Sequence, residues 1–255
     1  MKLERGGGPV LAKKRLATAL RELRENSGQT LERVAGELLI SVSKLSRLEK
    51  GQGVPQQRDV RDLINFYGIA SSQLGEDLMR WARDGRRRGW WEEYNDVLSP
   101  EQDDYIAYET EATVNLAFTI PHIHGLLQSE KYSRAMLSAF GLSENGEEFE
   151  RLAETRSIRQ QNLDARPGLQ PLELRVVLHE VCLTSHFQQS AEVRTEQLQH
   201  LLDVSDRENV EVRVLRADSE PHRAGWGMWQ HFSFGEDIDR DVVFLESPTG
   251  FTYID

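Results

Sequence analysis

Over the N-terminal third of the chain, apolar residues recur with the period of a helix. From Val10 to Asn26, Leu16, Ala19, Leu20 and Leu23 share one face while Lys13, Lys14, Arg15, Arg21 and Arg24 fill the others. This predicts a helix that opens at Pro9 and stops at Ser27-Gly28. The same period predicts helices over 30–38, 42–50, 57–67 and 71–83, with Gly51, Gly53 and Pro55 breaking the third. Residues 84–100 carry Arg86-Arg87-Arg88, Gly89, Trp90-Trp91 and Ser99-Pro100 and read as a junction. Residues 101–165 read as mainly helical. Beyond Pro167-Gly168 the pattern changes to short runs rich in Val, Leu and Phe, at 172–178, 210–215, 229–234 and 242–246, with a helix from Ala191 to Leu202 between the first two. The expected fold class is α+β. An N-terminal all-α domain of five helices (1–83) is joined by the junction (84–100) to a larger domain (101–255), helical first and then a small mixed α/β sheet region.

Charge sharpens this division. The formal net charge is −11, yet residues 1–90 hold 18 Lys and Arg against 11 Asp and Glu, and residues 91–255 hold 13 against 31. The first part is thus +7 and the second −18, so a basic module suited to phosphate is tethered to an acidic one that stays off it. Cys182 is the only cysteine, which excludes an intramolecular disulfide and any cysteine-rich zinc site. No apolar run approaches the roughly 18 to 20 residues of a membrane span. The expected location is the cytoplasm, in association with the nucleoid.

Residues 30–48 have the composition of two closely crossing helices with a polar reading head. Ala35 is the small residue at the crossing. Val34, Leu38, Ile40, Leu45 and Leu48 form the apolar base, and Ser41, Ser43, Lys44, Ser46 and Arg47 remain to face outward. Thr30-Leu31-Glu32-Arg33-Val34-Ala35, continued by Lys44-Leu45-Ser46-Arg47-Leu48-Glu49-Lys50-Gly51, resembles the Cro/C1-type, or XRE, helix-turn-helix family. The resemblance implies that the second motif helix enters the major groove of double-stranded DNA, usually as a homodimer. By position it makes Val42, Ser43, Lys44 and Arg47 the base readers, and Ser41, Ser46 and Arg33 the phosphate contacts. It also implies an ion pair between Arg24 and Glu49. Leu31 stands where the family often has glutamine, and Leu39 stands in a turn that usually holds glycine, which implies either a reshaped turn or a strained positive φ there.

The rest of the chain resembles a domain of unassigned function found behind such modules in high-GC Gram-positive bacteria. The resemblance is carried by Trp91-Glu92-Glu93-Tyr94, Glu109-Thr110-Glu111-Ala112, Gly125-Leu126-Leu127-Gln128-Ser129 with Tyr132, Arg156 with Arg159-Gln160, Leu178-His179-Glu180, the stretch from Gln197 to Leu202, and Glu246. It implies an antitoxin-like regulator with a small partner protein encoded nearby. Where relatives commonly read Pro-Gly-Leu-Leu-Gln, this chain reads Pro121-His122-Ile123-His124 before Gly125.

The residues themselves offer two aromatic groups as candidate partner or ligand contacts. Trp90 and Trp91 form one, although a seal at the junction is the plainer reading. His222, Arg223, Trp226 and Trp229 form the other, again with core packing as the plainer reading. His179 and His186 are too far apart for the metalloprotease helix, and Cys182 reads as core. The chain has no phosphate loop, nucleophile elbow or dinucleotide fingerprint, so neither a metal, a cofactor nor catalysis is expected. The expected function is a DNA-binding transcriptional regulator whose second domain dimerises and binds a small partner protein or ligand. The alternative is an antitoxin-like protein that neutralises its partner and autoregulates through DNA.

Overall fold

The computed structural model describes residues 8–142, 146–165, 170–184, 190–220, 227–235, 241–247 and 250–254. It divides the chain into two compact units, 1–90 and 91–255. No described helix is long and apolar enough to cross a membrane.

The first unit is built from α1 (Pro9–Asn26), α2 (Leu31–Glu37), α3 (Val42–Leu48), α4 (Gln57–Phe66) and α5 (Gln73–Asp84). Local chemistry sets the helix starts. Pro9 occupies the first turn of α1, and the hydroxyls of Thr30, Ser41 and Ser72 accept from the amides of Arg33, Lys44 and Gly75. The apolar stripes then close on one another. Leu16, Leu20, Val34, Leu45, Leu63 and Leu78 are buried in one cluster, and Leu31, standing where the family often has glutamine, packs against it.

The turn between α2 and α3 closes in a Schellman arrangement. The Leu39 amide donates to Gly36 O at 3.3 Å and the Ile40 amide to Ala35 O at 3.0 Å. That closure requires a left-handed residue, and Leu39 supplies it at φ 53°, alone among the described non-glycine residues. Helices α1 and α4 end on the same pair of bonds with Gly28 and Gly68 in the left-handed position. The Leu39 side chain is 93% exposed, so no buried contact offsets its backbone strain. Leu39→Gly is therefore expected to stabilise the first unit by about 0.5 to 1 kcal/mol in denaturant titration, the greater freedom of an unfolded glycine taking back part of the relief.

The second unit contains α6 (Pro100–Glu111), β1 (Val114–Thr119), α7 (Glu130–Ala139), α8 (Glu147–Gln160), β2 (Glu173–His179), α9 (Val181–Thr184), α10 (Ala191–Ser205), β3 (Val210–Leu215), β4 (Trp229–Ser233), β5 (Val242–Ser247) and β6 (Gly250–Ile254). Ser99-Pro100 opens α6 with a reciprocal cap, the Ser99 hydroxyl taking the Gln102 amide and the Gln102 side chain taking the Ser99 amide. The strands form one sheet in the order β3-β2-β1-β4-β5-β6. Its β1, β2 and β3 are parallel, joined by helical crossovers, while β4, β5 and β6 run antiparallel from the other side of β1. The overall class is α+β, as expected, and two strands, β1 and β6, lie outside the four runs read as strands. The central strand β1 lies inside the stretch read as mainly helical, because Val114-Asn115-Leu116-Ala117-Phe118-Thr119 is short and buries two polar residues, Asn115 and Thr119, which blur the alternation that marks a strand. One face of the sheet buries Asn115, Ala117, Gln230, Phe232 and Phe244, and Tyr105 of α6 packs on the last two of these.

Candidate nucleic-acid interface and the cavity of the second unit

Helix α3 is anchored by the fully buried Leu45 and presents its opposite side to solvent. Arg33, Ser41, Val42, Ser43 and Arg47 are exposed, while Lys44 and Ser46 are half-buried. The seven candidates differ in their commitments. The Ser41 hydroxyl oxygen is engaged by its cap at 3.2 Å, and Lys44 Nζ is held by Asp59 Oδ2 of α4 at 2.6 Å. The guanidinium groups of Arg33 and Arg47 make no side-chain bond with the described residues and stand ready for an external acceptor. Lys44 and Arg47 share a groove of about 250 Å³ with Gln52, Val54 and Gln56. Sequence reasoning does not reach those last three. Gly51, Gly53 and Pro55 signal only a break in the chain, and it takes the fold to return that break alongside α3.

The end of α3 is locked to α1. Arg24 Nε lies 2.9 Å from both oxygens of Glu49, and its Nη2 lies 2.8 Å from Oε2. Both side chains are withdrawn from water, at 14% and 5% exposure. Hydrogen bonding to Glu49 outweighs the burial of Arg24 and holds its guanidinium above the ordinary range.

In the second unit, polar residues from distant parts of the chain meet at a cavity of about 400 Å³. Arg159 of α8 clasps Glu109 of α6 through Nε at 2.8 Å and Nη2 at 2.9 Å, and Glu109 is wholly buried. Tyr105 donates to Glu109 at 2.9 Å and receives the Gln230 amide at 2.9 Å. The Gln230 carbonyl oxygen accepts from Asn115 at 2.8 Å and faces His124 Nε2 at 2.9 Å. Because the Leu126 amide donates to His124 Nδ1, the ring proton sits on Nε2 and points at Gln230. Burial holds His124 below its ordinary pKa, which keeps this neutral form. Burial and the Glu109 charge push Tyr105 well above its ordinary value.

A second set clamps the 123–129 segment. Gln128 donates to Ile123 O at 2.7 Å and accepts from Arg156 at 2.9 Å, Gln160 donates to Gln128 O at 2.6 Å, and Gln197 holds Leu127 O and the Ser129 amide. Glu109, Gly125, Gln128, Ser129, Arg156, Arg159, Gln160, Gln197 and Glu246 all belong to the segments that carry the resemblance. The signal is therefore present in the sequence, but spacing does not show that these residues converge.

The aromatic candidates sit elsewhere. Trp90 and Trp91 lie in the 3-10 turn Trp90–Tyr94, Trp91 buried and Trp90 half-buried. Trp229 lies on β4 beside a shallow pocket with Leu116, Arg175, Val177, Glu211 and Arg213. None of the three lines the large cavity. His222, Arg223 and Trp226, together with His186 and Pro167-Gly168, lie outside the described residues. Cys182 is a buried thiol directed at the carbonyls of Thr119 and His122, and burial pushes it up to about 11. Among the described residues no three His, Cys, Asp or Glu side chains gather in a way that would hold a metal.

Comparison with known proteins matches residues 102–255 to a family described as a domain of unknown function (DUF5753), and residues 15–76 to a helix-turn-helix domain. A curated relative, the HTH-type transcriptional regulator DdrOP3 of Deinococcus deserti, is 40% identical over 64 residues. That stretch is 25% of this chain and 50% of the relative, so the chain spans half the length of the curated protein it matches. No solved structure matches.

Proposed function

The chain belongs to the family defined by that domain of unknown function (DUF5753), and we propose that it is a sequence-specific DNA-binding transcriptional regulator. Helix α3 enters the major groove, Arg47, Ser43 and Val42 read base edges, and Arg33, Ser41 and Ser46 hold phosphate. Lys44 contributes less than Arg47, because Asp59 already occupies it. The observation that carries this reading is Arg47, exposed on α3 within a +7 segment and free of side-chain bonds to the described residues. A homodimer sets two such helices on half-sites about one turn of DNA apart. In this proposal residues 1–83 bind DNA, 84–100 connect, and 101–255 dimerise and receive the input, a small partner protein or a ligand.

Two substitutions test the assignment. Arg47→Ala is expected to cost about 1 to 3 kcal/mol on the specific site while leaving random duplex affinity nearly unchanged. Arg33→Ala is expected to weaken all duplexes alike and to lower the salt slope by about one. Fluorescence anisotropy against a selected site and a scrambled one, across a salt series, measures both. Equal losses on the two duplexes for Arg47→Ala would remove it as a base reader.

The charge of −18 on residues 91–255 supports the second reading, an antitoxin-like protein that neutralises a basic partner. Full partner affinity in the Arg47→Ala chain, unaffected by added DNA, favours the neutraliser. Reciprocal modulation of partner and DNA favours the regulator with an input domain.

A further inference from the structure

We propose that the cavity of the second unit is a binding site for a small amphipathic molecule with an apolar body and a single carboxylate head, and that Arg156 receives the head. The two guanidinium groups on its lining are unequally served. Arg159 has a bidentate carboxylate in Glu109. Arg156, one helical turn earlier on α8, has a single neutral partner, the Gln128 side-chain oxygen at 2.9 Å, and no carboxylate of the described residues within ion-pair distance. Gln128 cannot swing away to leave Arg156 to water, since its own amide is tied to Ile123 O at 2.7 Å. A cation withdrawn from water beside one amide oxygen lacks the charged partner that usually offsets its desolvation, and an incoming carboxylate supplies two acceptor oxygens. Burial first, and then the neighbouring Arg159, pull Arg156 down to about 10.

The rest of the lining defines the body of the ligand. Ile106, Met136, Leu137, Phe140 and Phe244 supply apolar wall, and the volume of about 400 Å³ lies in the range of sites for small organic molecules. Phe140 is exposed, so it stands at the mouth. Glu246 is the opposing feature. Glu246 shares the lining, and its carboxylate acts on Arg156 through space without a bond to it. It therefore competes with the head of the ligand and selects against molecules carrying further negative charge.

The binding itself is independent of the DNA-binding reading; only its regulatory consequence rests on that reading. The test is calorimetric titration of the full-length chain with hexanoate, octanoate, decanoate and dodecanoate, each beside its alcohol. The expected result is one site per chain for at least one carboxylate, bound roughly tenfold or more tightly than the matching alcohol. Arg156→Gln should abolish that preference. Glu246→Gln should tighten the carboxylate, and Phe140→Ala should weaken acid and alcohol alike, so the proposal stays exposed to refutation even if Arg156→Gln fails to fold. The proposal is overturned if no carboxylate of the series binds, if acid and alcohol bind equally, or if the preference survives in Arg156→Gln. DNA affinity is then measured with and without the bound carboxylate. A change supports a ligand input to the regulator, whereas unchanged affinity leaves the site standing and removes the regulatory consequence.

Discussion

Glu109→Ala is expected to lower the stability of the second unit by about 3 to 5 kcal/mol. Glu109 is wholly buried and accepts two bonds from Arg159 and one from Tyr105. Its removal leaves Arg159, only 16% exposed, with the Tyr105 hydroxyl at 3.3 Å as its remaining acceptor among the described residues. Burial already opposes the Arg159 charge, and Glu109 first and then Tyr105 lift the group back above its ordinary value. The loss is therefore the cost of a stranded buried cation, larger than the net worth of the pair. Denaturant titration of the full-length chain, followed by circular dichroism, should show an early transition for Glu109→Ala. The double variant Glu109→Leu/Arg159→Met should recover most of the loss by removing both charges. A loss below about 1 kcal/mol for Glu109→Ala would mean that water reaches Arg159 freely and that the cavity wall is not as closed as the geometry indicates.

Glu49→Ala is the second large effect, and it should be smaller than the first. The reason is what Arg24 has left. After Glu49 is gone, Arg24 keeps the Gln29 carbonyl at 3.3 Å and the more exposed Glu25 at 3.5 Å, so its charge is not stranded in the way that of Arg159 is. The expected loss is about 3 kcal/mol, the low end of the range for breaking a buried pair. Its functional consequence follows from position, because Glu49 closes the end of α3 and ties that helix to α1. Affinity for specific and random DNA should fall together, unlike the selective loss expected for Arg47→Ala. A Glu49→Ala chain as stable as the parent would sink the view that this pair holds α3 in place.

These two ion pairs are not equally legible. Arg24 and Glu49 can be paired from the sequence, since the resemblance to the helix-turn-helix family brings both positions with it. Glu109 and Arg159 show in the sequence only as two fragments of a resemblance to a domain without an assigned function. The aromatic residues draw attention to Trp90, Trp91 and the 222–229 segment, because bulky rings beside cations resemble a binding wall in any sequence. The cavity is built instead from Gln128, Arg156, Gln230 and Glu246, polar residues that look like ordinary surface until their neighbours are known. Strand β1 escapes the pattern for a related reason, since the Nδ2 of its buried Asn115 donates to Gln230, a residue 115 positions away.

By itself, the sequence determined the five N-terminal helices, the Pro9 start of the first, and the division of charge between the halves. Each of these depends on residues a few positions apart or on a sum over a segment, and helix periodicity and capping are local interactions. The tertiary structure alone decided which polar groups meet in the second unit. It set Arg159 on Glu109 across 50 positions and Tyr105 on Gln230 across 125. It also left Arg156 beside a cavity without a carboxylate partner among the described residues. No periodicity encodes such meetings, because the sheet order β3-β2-β1-β4-β5-β6 brings together strands far apart in the chain, and a buried polar group is satisfied or stranded only by what that order puts next to it.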